Sequence, residues 1–346
     1  MRNARIAEEG GWDGLSVVDS QNLSGDSFVA LAMAATVTQR LKLQTGVTNS
    51  ITRTAATLAT TAASVQSVSR GRAVLGIGRG DSALAHLGRS PARLGQFERY
   101  LRHLQAYLGG QRVPFDEIVD IPLKAAPLLS ELHLADAPED SFIGWIAESQ
   151  AGGRKVPVEV AASGPRVIAI AARTAERVMF GLGASPERLQ WGIDQAREAR
   201  KEAGLDPAAI KYGSFISCGC HRDADAARDL VVGGLTVQTR FGVMHGKTSG
   251  PLSQSQEEVM QALRSSYNMK QHTKHDSDQA AVLTPEFIDE YAIIGMPDRI
   301  IERLQALKKI GIEKIVLGGT RVGETGETEV ARKLIEKEVL AVMQAA

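Results

Sequence analysis

The stretch Leu41–Ser82, LKLQTGVTNSITRTAATLATTAASVQSVSRGRAVLGIGRGDS, decides the fold. It contains two short apolar runs, Leu41–Gly46 and Ala73–Ile77, with the alanine-rich segment Thr54–Val68 between them. The runs have the length of strands, and the segment has the spacing of a helix. Strands joined by a helix of this length pair in parallel through a right-handed crossover. The stretch therefore predicts a β-α-β unit.

The same alternation continues on both sides of this unit. Five further strands are predicted at Leu15–Val18, Val156–Ala161, Arg177–Gly181, Tyr212–Ser217 and Lys314–Leu317. Further helices are predicted at Leu94–Tyr107, Pro165–Ala175, Pro186–Ala203 and Pro297–Ile310. Seven strands in a chain that begins inside a helix predict an α/β fold, a (β/α)8 TIM barrel with the first strand missing from this chain. An open doubly wound sheet is the alternative.

Local signals predict how some of these elements begin. Ser163 and Ser185 stand just before the first-turn prolines of two helices, which predicts serine N-caps. Arg72 follows Gly71 and is interpreted as a turn residue. These assignments concern the backbone alone and do not by themselves define a site.

Two long stretches, Gln111–Gly153 and Gly234–Leu283, interrupt the alternation. The second contains a predicted helix near Gln254–Met269. Insertions of this size in a barrel usually lie over its C-terminal mouth, where they cover substrate. We therefore expect one barrel domain over residues 1–346, with both insertions over that mouth.

The composition excludes several classes of protein. Forty basic residues balance 40 acidic ones, so the chain lacks the basic excess of nucleic-acid-binding or membrane-surface proteins. It contains neither an apolar run long enough to span a bilayer nor the apolar core of a signal peptide, and a cytoplasmic location is expected. The two cysteines, Cys218 and Cys220, share one face of a predicted strand and are interpreted as small apolar fillers. No metal site is expected.

Active sites of barrels form where strands end and loops begin. In this chain those positions are rich in glycine, serine and threonine, which let a backbone approach a flat ring or a phosphate. The run Gly76–Asp81 superficially resembles a dinucleotide-binding glycine motif, but its third glycine is misplaced. Asp81 is the last residue of this run. Its carboxylate is interpreted either as an acid/base group or as the cap of the following helix.

Four runs, in their order and spacing, resemble the luciferase-like monooxygenase superfamily. They are Leu43–Arg53, Ser69–Ser82, Val158–Pro165 and Ile294–Pro297. Within the superfamily they are most similar to the branch of the methylenetetrahydromethanopterin reductases, which use the deazaflavin coenzyme F-420. The resemblance extends over nearly the whole chain apart from the two insertions.

The resemblance implies a binding site for coenzyme F-420 or FMN. It implies a non-prolyl cis peptide at Gly46–Val47 behind the ring, and it implies that Asp19 and Asp81 are the catalytic residues. The residues implied to bind the cofactor are Asp19, Gly46, Val47, Thr48, Asn49, Gly78, Asp81, Ser163, Gly164 and Ser185, with Ser163, Gly164 and Ser185 at its phosphate.

Three functions remain open at this point. The first is an F-420-dependent oxidoreductase that transfers hydride between the cofactor and a small organic substrate. The second is an FMN-dependent two-component monooxygenase, which would need a flavin reductase as partner. The third, from another class, is a barrel that binds a ligand without catalysis. The resemblance also implies a homodimer formed through helices near the second and third strands, and the alanine-rich Thr54–Val68 suits such a contact.

Overall fold

The computed structural model describes residues 1–149 and 155–345. All seven predicted strands are present, each within two or three residues of its expected ends, and four short strands accompany them. The strands are β1 (Gly14–Val17), β2 (Lys42–Thr45), β3 (Thr48–Asn49), β4 (Ala73–Gly78), β5 (Val113–Pro114), β6 (Asp140–Ser141), β7 (Val158–Ala162), β8 (Arg177–Phe180), β9 (Lys211–Cys220), β10 (Ile293–Gly295) and β11 (Lys314–Gly318).

The predicted helices are confirmed to within about one residue at each end, except that the helix predicted near Gln254–Met269 ends three residues earlier, at Ser266. The helices are α1 (Arg2–Glu9), α2 (Ser27–Ala35), α3 (Ala55–Val68), α4 (Ser82–Ala85), α5 (Leu94–Leu108), α6 (Gly144–Ser149), α7 (Pro165–Thr174), α8 (Pro186–Glu202), α9 (Ala224–Phe241), α10 (Gln254–Ser266), α11 (Pro285–Tyr291), α12 (Pro297–Lys309), α13 (Glu327–Leu334) and α14 (Leu340–Ala345). Short 3₁₀ turns lie at Phe115–Glu117, Leu129–Leu132 and Met269–Gln271, and a π-helical turn joins α13 to α14 at Ile335–Val339.

The chain divides into two compact units. The first unit comprises Val17–Val158, and the second comprises Met1–Ser16 together with Glu159–Ala346. In the first unit, β2 and β3 both pair in parallel with β4, with Leu43 opposite Ala73 and Thr48 opposite Ile77. The predicted β-α-β unit is therefore present.

Helix α3 packs closely in the first unit because its inward face is built mainly from small residues. Leu58, Ala59 and Ala62 are buried, and the neighbouring α5 buries Phe97 and Leu101. Alanines let two helices approach closely, while the larger side chains of α5 fill the remaining space. This packing fixes the position of the loop that precedes α3.

Arg72 is a buried residue whose side chain links several backbone segments through hydrogen bonds, and not the turn residue that the sequence suggests. Its side chain, in a residue only 9% exposed, donates hydrogen bonds of 2.8–2.9 Å to the carbonyl oxygens of Ala35, Thr38, Leu41 and Ser69 and to the Thr38 hydroxyl. It therefore satisfies carbonyl groups at and just beyond the end of α2, where a positive charge is also favourable.

In the second unit, β9 is the central strand. It is ten residues long, and one edge pairs in parallel with β8, as Arg177 opposite Lys211 shows. Its first half also pairs with β11 and its last half with β10, each in parallel. Cys218 and Cys220 lie in the last half of β9, both buried and both free thiols. Burial raises the pKa of Cys220 to about 11 and that of Cys218 further, so both stay protonated at neutral pH and their interpretation as apolar fillers is confirmed.

One predicted cap is wrong. Ser185 caps α8 as expected, because its hydroxyl accepts from the Arg188 backbone N–H at 3.3 Å. Helix α7 has Gly164 at its N-cap position, with no side-chain cap, so Ser163 lies one residue too early. The Ser163 hydroxyl donates instead to the carbonyl oxygen of Phe241 at 3.1 Å.

The second insertion is more regular than the sequence suggests. Its predicted helix is confirmed as α10, and α9 extends into the stretch as far as Phe241. Met260 and Leu263 of α10 join a buried apolar cluster with Phe287 and Tyr291 of α11. Of the first insertion, 150–153 lie outside the described residues. The location of either insertion over a mouth stays a prediction, as does the single domain. Among the described residues no helix has the length and apolar character needed to cross a membrane.

Candidate functional site

The peptide bond between Gly46 and Val47 is cis, in the short gap between β2 and β3. The Gly46 N–H donates to the carbonyl oxygen of Val17 at 2.7 Å, which ties this gap to the end of β1. The predicted cis pair is thereby confirmed. Thr48 and Asn49 follow at once as strand β3, and both are buried.

Asp19 lies at the centre of the polar residues around this gap. It is 5% exposed, and its Oδ2 accepts hydrogen bonds from the Thr48 hydroxyl and from Arg53 Nη1, each at 2.6 Å. Two such short bonds to one oxygen fix the orientation of the carboxylate. The predicted residues Asp19 and Thr48 are therefore in direct contact, and the Thr48 hydroxyl oxygen keeps its lone pairs as acceptors.

Arg53 links this carboxylate to a second one. Its Nη2 donates to Asp26 Oδ2 at 2.7 Å, and its guanidinium stacks on the Phe28 ring at 4.9 Å. Burial acts to lower the pKa of Arg53, but the charges and hydrogen bonds of Asp19 and Asp26 outweigh it and raise that pKa above its ordinary value. Arg53 is consequently a permanent cation that orders both carboxylates.

The loop after β3 holds buried polar atoms without partners among the described residues. The Asn49 side chain uses Oδ1 to accept from the backbone N–H groups of Ile51 and Thr52, each at 3.0 Å. Its Nδ2 has no hydrogen-bond partner, nor do the hydroxyls of Ser50 and Thr52. Since buried polar groups are nearly always paired, these three atoms mark a place where a polar ligand fits.

Gly78 and Asp81 lie on the neighbouring strand and its loop. Gly78 ends β4 and is opposite Asn49 in the sheet register. Asp81 is half-buried at the start of α4, but its carboxylate makes no capping hydrogen bond. The interpretation of Asp81 as a side-chain cap is therefore wrong, and the acid/base role stays a prediction.

Two side-chain contacts join the loop of Asp19 to the loop of Asp81. The hydroxyls of Ser20 and Ser82, each adjacent to one of the two aspartates, share a hydrogen bond of 3.2 Å. Gln21 Nε2 donates to the carbonyl oxygen of Ala83 at 2.9 Å. The first unit thus brings seven predicted residues to one region, namely Asp19, Gly46, Val47, Thr48, Asn49, Gly78 and Asp81.

The three predicted phosphate residues lie in the second unit. Gly164 is the N-cap of α7, and a Cβ atom placed on it would meet no other atom within 4 Å, so the space over its backbone is open. The Ser185 hydroxyl already caps α8 and donates to Glu187 Oε2 at 2.7 Å, a bond that lowers the pKa of Glu187. The phosphate role of Ser163, Gly164 and Ser185 stays a prediction.

No pattern in the sequence singles out Tyr100 and Asp120. The Tyr100 hydroxyl donates to the carbonyl oxygen of Arg53 at 2.9 Å, and burial, reinforced by the charge of Asp120, raises its pKa. Asp120 Oδ2 accepts from the Ala55 backbone N–H at 3.1 Å, at the start of α3. These contacts join residues 47 and 65 positions apart, and no local sequence pattern reports them. Ser50 and Thr52, by contrast, could have been found as polar residues directly after a strand.

Replacing Arg53 with methionine is expected to lower the free energy of unfolding by about 2–3 kcal/mol, because the buried Asp19 carboxylate loses its counter-charge. Urea denaturation of the purified protein measures this change. In the matched control, the double variant Asp19→Asn/Arg53→Met, most of the lost stability should return. Equal losses in the single and double variants would show that the ion pair does not order this loop.

Comparisons with known proteins identify the family and the fold. The model of the luciferase-like monooxygenase family matches residues 1–314. The chain is 26% identical to the 5,10-methylenetetrahydromethanopterin reductase of Methanolobus tindarius over 344 residues, which is 97% of this chain and 94% of that protein.

Two solved structures are similar over almost the full chain. The coenzyme F-420-dependent tetrahydromethanopterin reductase from Methanopyrus kandleri has a TM-score of 0.70 at 19% identity, covering 98% of this chain and 94% of that one. An F-420-dependent secondary alcohol dehydrogenase, in complex with an F-420-acetone adduct, has a TM-score of 0.69 at 18% identity, covering 98% and 93%. At these identities the structures establish the fold, and the predicted fold class, a (β/α)8 barrel, is confirmed. The family match spans most of the sequence, and the chain therefore belongs to the luciferase-like monooxygenase family.

Proposed function

We propose that this protein is a coenzyme F-420-dependent oxidoreductase that transfers hydride between the deazaflavin and a small organic substrate. The observation that carries the proposal is the buried Asn49 Nδ2, a donor without a partner among the described residues, beside the ordered Asp19–Thr48 pair. A polar cofactor edge would satisfy this donor. The names of the reductase and dehydrogenase to which the chain is similar support a deazaflavin as that cofactor.

When bound, the deazaflavin supplies the hydride chemistry, and the protein positions the reactants. Asn49 Nδ2 would donate to an acceptor atom of the ring system. Arg53 fixes the Asp19 carboxylate, and that carboxylate accepts the hydrogen bond of the Thr48 hydroxyl. The Thr48 hydroxyl oxygen can therefore accept a hydrogen bond from a donor group on the cofactor or the substrate and orient it. The half-buried Asp81 carboxylate is suited to exchange a proton with a substrate oxygen or nitrogen. Ser163, Gly164 and Ser185 of the second unit are proposed to bind the phosphate.

The second candidate is an FMN-dependent two-component monooxygenase, and the family's own description favours it. Reduced FMN would then react with oxygen, and a separate flavin reductase would be the partner. The residues of the first unit suit either ring, because a buried amide donor recognises an acceptor edge that flavins and deazaflavins share.

A single-turnover experiment separates the candidates. The protein is mixed without oxygen with reduced deazaflavin that carries deuterium at its hydride-donating carbon, and a panel of ketones, aldehydes and imines is added. The proposal predicts deuterium in the product by mass spectrometry. Product that forms only with reduced FMN and oxygen would establish the monooxygenase, and absence of turnover with both cofactors would favour the non-catalytic barrel.

We also propose a homodimer formed through α2 and α3. Neither helix contains a charged residue, and their surfaces expose Val29 (60%), Met33 (47%) and Val68 (50%). Apolar, uncharged surface of this kind is typical of an interface. The cytoplasmic location expected from the sequence stays a prediction.

The double variant Val29→Glu/Met33→Glu is expected to convert the dimer to a monomer, because two buried like charges on each copy would face their symmetry mates. Sedimentation velocity measures the change in mass. Val342→Glu, on a valine of the second unit that is 42% exposed, serves as the control and should leave the dimer intact. An unchanged sedimentation coefficient in the double variant would place the interface elsewhere.

A further inference from the structure

Residues 182–185, here named the 182–185 loop, lie between β8 and α8 in the second unit and end at Ser185, one of the three residues proposed to bind the phosphate. The Ala184 N–H donates to the carbonyl oxygen of Tyr291 at 2.9 Å. Gly183 has a φ of +79°, and a Cβ atom placed on it would lie 2.8 Å from the Tyr291 ring. The loop therefore packs closely against Tyr291, and glycine is required at position 183.

Arg188 holds the 182–185 loop from the side of helix α8. The residue is 2% exposed, and its backbone N–H donates to the Ser185 hydroxyl at 3.3 Å. Its Nε donates to the carbonyl oxygen of Leu182 at 3.0 Å, and its Nη1 donates to that of Pro251 at 2.9 Å. A single buried residue thus contacts both ends of the loop and fixes their separation.

The positive charge of Arg188 is not balanced by a carboxylate. Arg188 forms no ion pair within the part of the chain that the structure describes, although buried charges in proteins are normally paired. Arg72 also donates to carbonyl oxygens, but it lies near the C-terminal end of α2, where a cation is favourable. Arg188 lies in the first turn of the 17-residue helix α8, where the backbone N–H groups already create a positive potential. An anion bound at this turn would neutralise both charges.

The neighbouring charged residues leave this potential in place. On another side of the loop, Arg303 Nη2 donates to the carbonyl oxygen of Ala184 at 3.2 Å. Burial and the positive charge of Arg299 lower the pKa of Arg303 below its ordinary value, as expected where cations crowd together. Glu187 is the acidic residue of the first turn of α8, but it is exposed, and solvent screens its charge.

We propose that Arg188 is a positioning residue of the phosphate subsite, which fixes the shape of the 182–185 loop and strengthens phosphate binding through its buried charge without touching the phosphate. This inference rests on the proposed function and deepens it, since it adds the cation that the proposed phosphate residues lack. The ligand group that Arg188 favours is a phosphate ester. A cofactor without its phosphate gains nothing from this charge.

The test compares each cofactor with the same molecule without its phosphate, namely coenzyme F-420 with its dephosphorylated deazaflavin and FMN with riboflavin. Fluorescence titration of the full chain gives the ratio of dissociation constants within each pair, which is the phosphate preference. In Arg188→Gln this preference should fall about tenfold, because a buried charge acts on the phosphate through a medium of low dielectric constant. The affinity for the dephosphorylated forms should change by about twofold or less, because these forms do not interact with the charge.

Two variants separate the charge of Arg188 from a merely structural role. Arg188→Lys keeps the charge and should retain the phosphate preference to within about threefold. Arg200→Met removes an arginine of the same helix that also donates to two carbonyl oxygens, those of Ala172 and Asp206, each at 2.6 Å, and should leave the preference unchanged. An unchanged preference in Arg188→Gln overturns the proposal, and so does an equal weakening of both members of a pair. If Arg188→Gln does not fold, loss of the preference in folded Arg188→Lys overturns it instead.

A measurement without cofactor distinguishes this inference from the proposed function. Inorganic phosphate, compared with sodium chloride at the same ionic strength, should raise the urea midpoint of the parent protein more than that of Arg188→Gln. The general stabilising effect of phosphate acts equally on both proteins and cancels in this comparison. Equal protection of both proteins overturns the inference. Protection that depends on Arg188 in a protein that binds neither coenzyme F-420 nor FMN would overturn the proposed function alone.

Discussion

Arg72→Met is expected to lower the free energy of unfolding by about 4 kcal/mol, the largest loss of stability predicted for this chain. The substitution leaves the carbonyl oxygens of Ala35, Thr38, Leu41 and Ser69 without their donor in a buried region. It also removes the positive charge near the C-terminal end of α2. Equilibrium urea denaturation, followed by far-ultraviolet circular dichroism, measures the change.

Two controls give this result its meaning. Arg72→Lys keeps the charge but cannot reach all of these acceptors at once, so it should retain only part of the stability. Arg166→Met, on the exposed face of α7, should change the free energy of unfolding by about 0.5 kcal/mol or less. A loss below about 1 kcal/mol for Arg72→Met would mean that water replaces the guanidinium as donor and that the hydrogen bonds of Arg72 are not required for stability.

Asn49→Asp is expected to weaken cofactor binding about 100-fold, equivalent to about 2.7 kcal/mol. The variant keeps a side-chain oxygen to accept from the N–H groups of Ile51 and Thr52, so the loop retains its shape. It replaces the Nδ2 donor with a second oxygen, which would face the acceptor atom of the ring system. Fluorescence titration of the variant and the parent protein with deazaflavin measures the ratio of dissociation constants.

The matched control is Asn268→Asp, because the Asn268 side chain also accepts a backbone hydrogen bond, from Lys270 at 2.9 Å, far along the chain. It should leave cofactor binding unchanged. Because Asn49 is 2% exposed, the added carboxylate should also lower the free energy of unfolding, so urea denaturation of the variant defines the conditions under which it is folded and its cofactor binding can be compared with that of the parent. If Asn49→Asp binds the cofactor as tightly as the parent, the unpartnered amide is not a contact of the cofactor.

The elements of the fold could be predicted because their signals are local. The crossover unit at Leu41–Ile77 contains its own strand, cap and helix patterns, and the structure changes its ends by only one or two residues. Strand β10 was not predicted, since three residues are too few for a periodicity. The error at Ser163 has a similar origin: the proline marks the helix start, but the chain places Gly164 at the cap.

The contacts that build the site are long-range, and only part of them could be predicted. The resemblance to a known family supplied Asp19, Thr48 and the Gly46–Val47 bond. The partners of Arg53 lie 34 and 27 positions away in the sequence, and a composition or spacing pattern does not report such distances. The roles of Arg72 and Asp120 likewise depend on which backbone groups are left without partners once the helices have packed.

The measurement that tests the central claim most directly is an equilibrium titration of the purified protein with deazaflavin and, separately, with FMN, read by cofactor fluorescence. The account predicts that coenzyme F-420 binds with a dissociation constant in the micromolar range or below, at least tenfold tighter than FMN. Tighter binding of FMN would contradict the F-420 assignment and favour the monooxygenase. Failure of both cofactors to bind would contradict the proposal that the protein is a flavin- or deazaflavin-dependent enzyme.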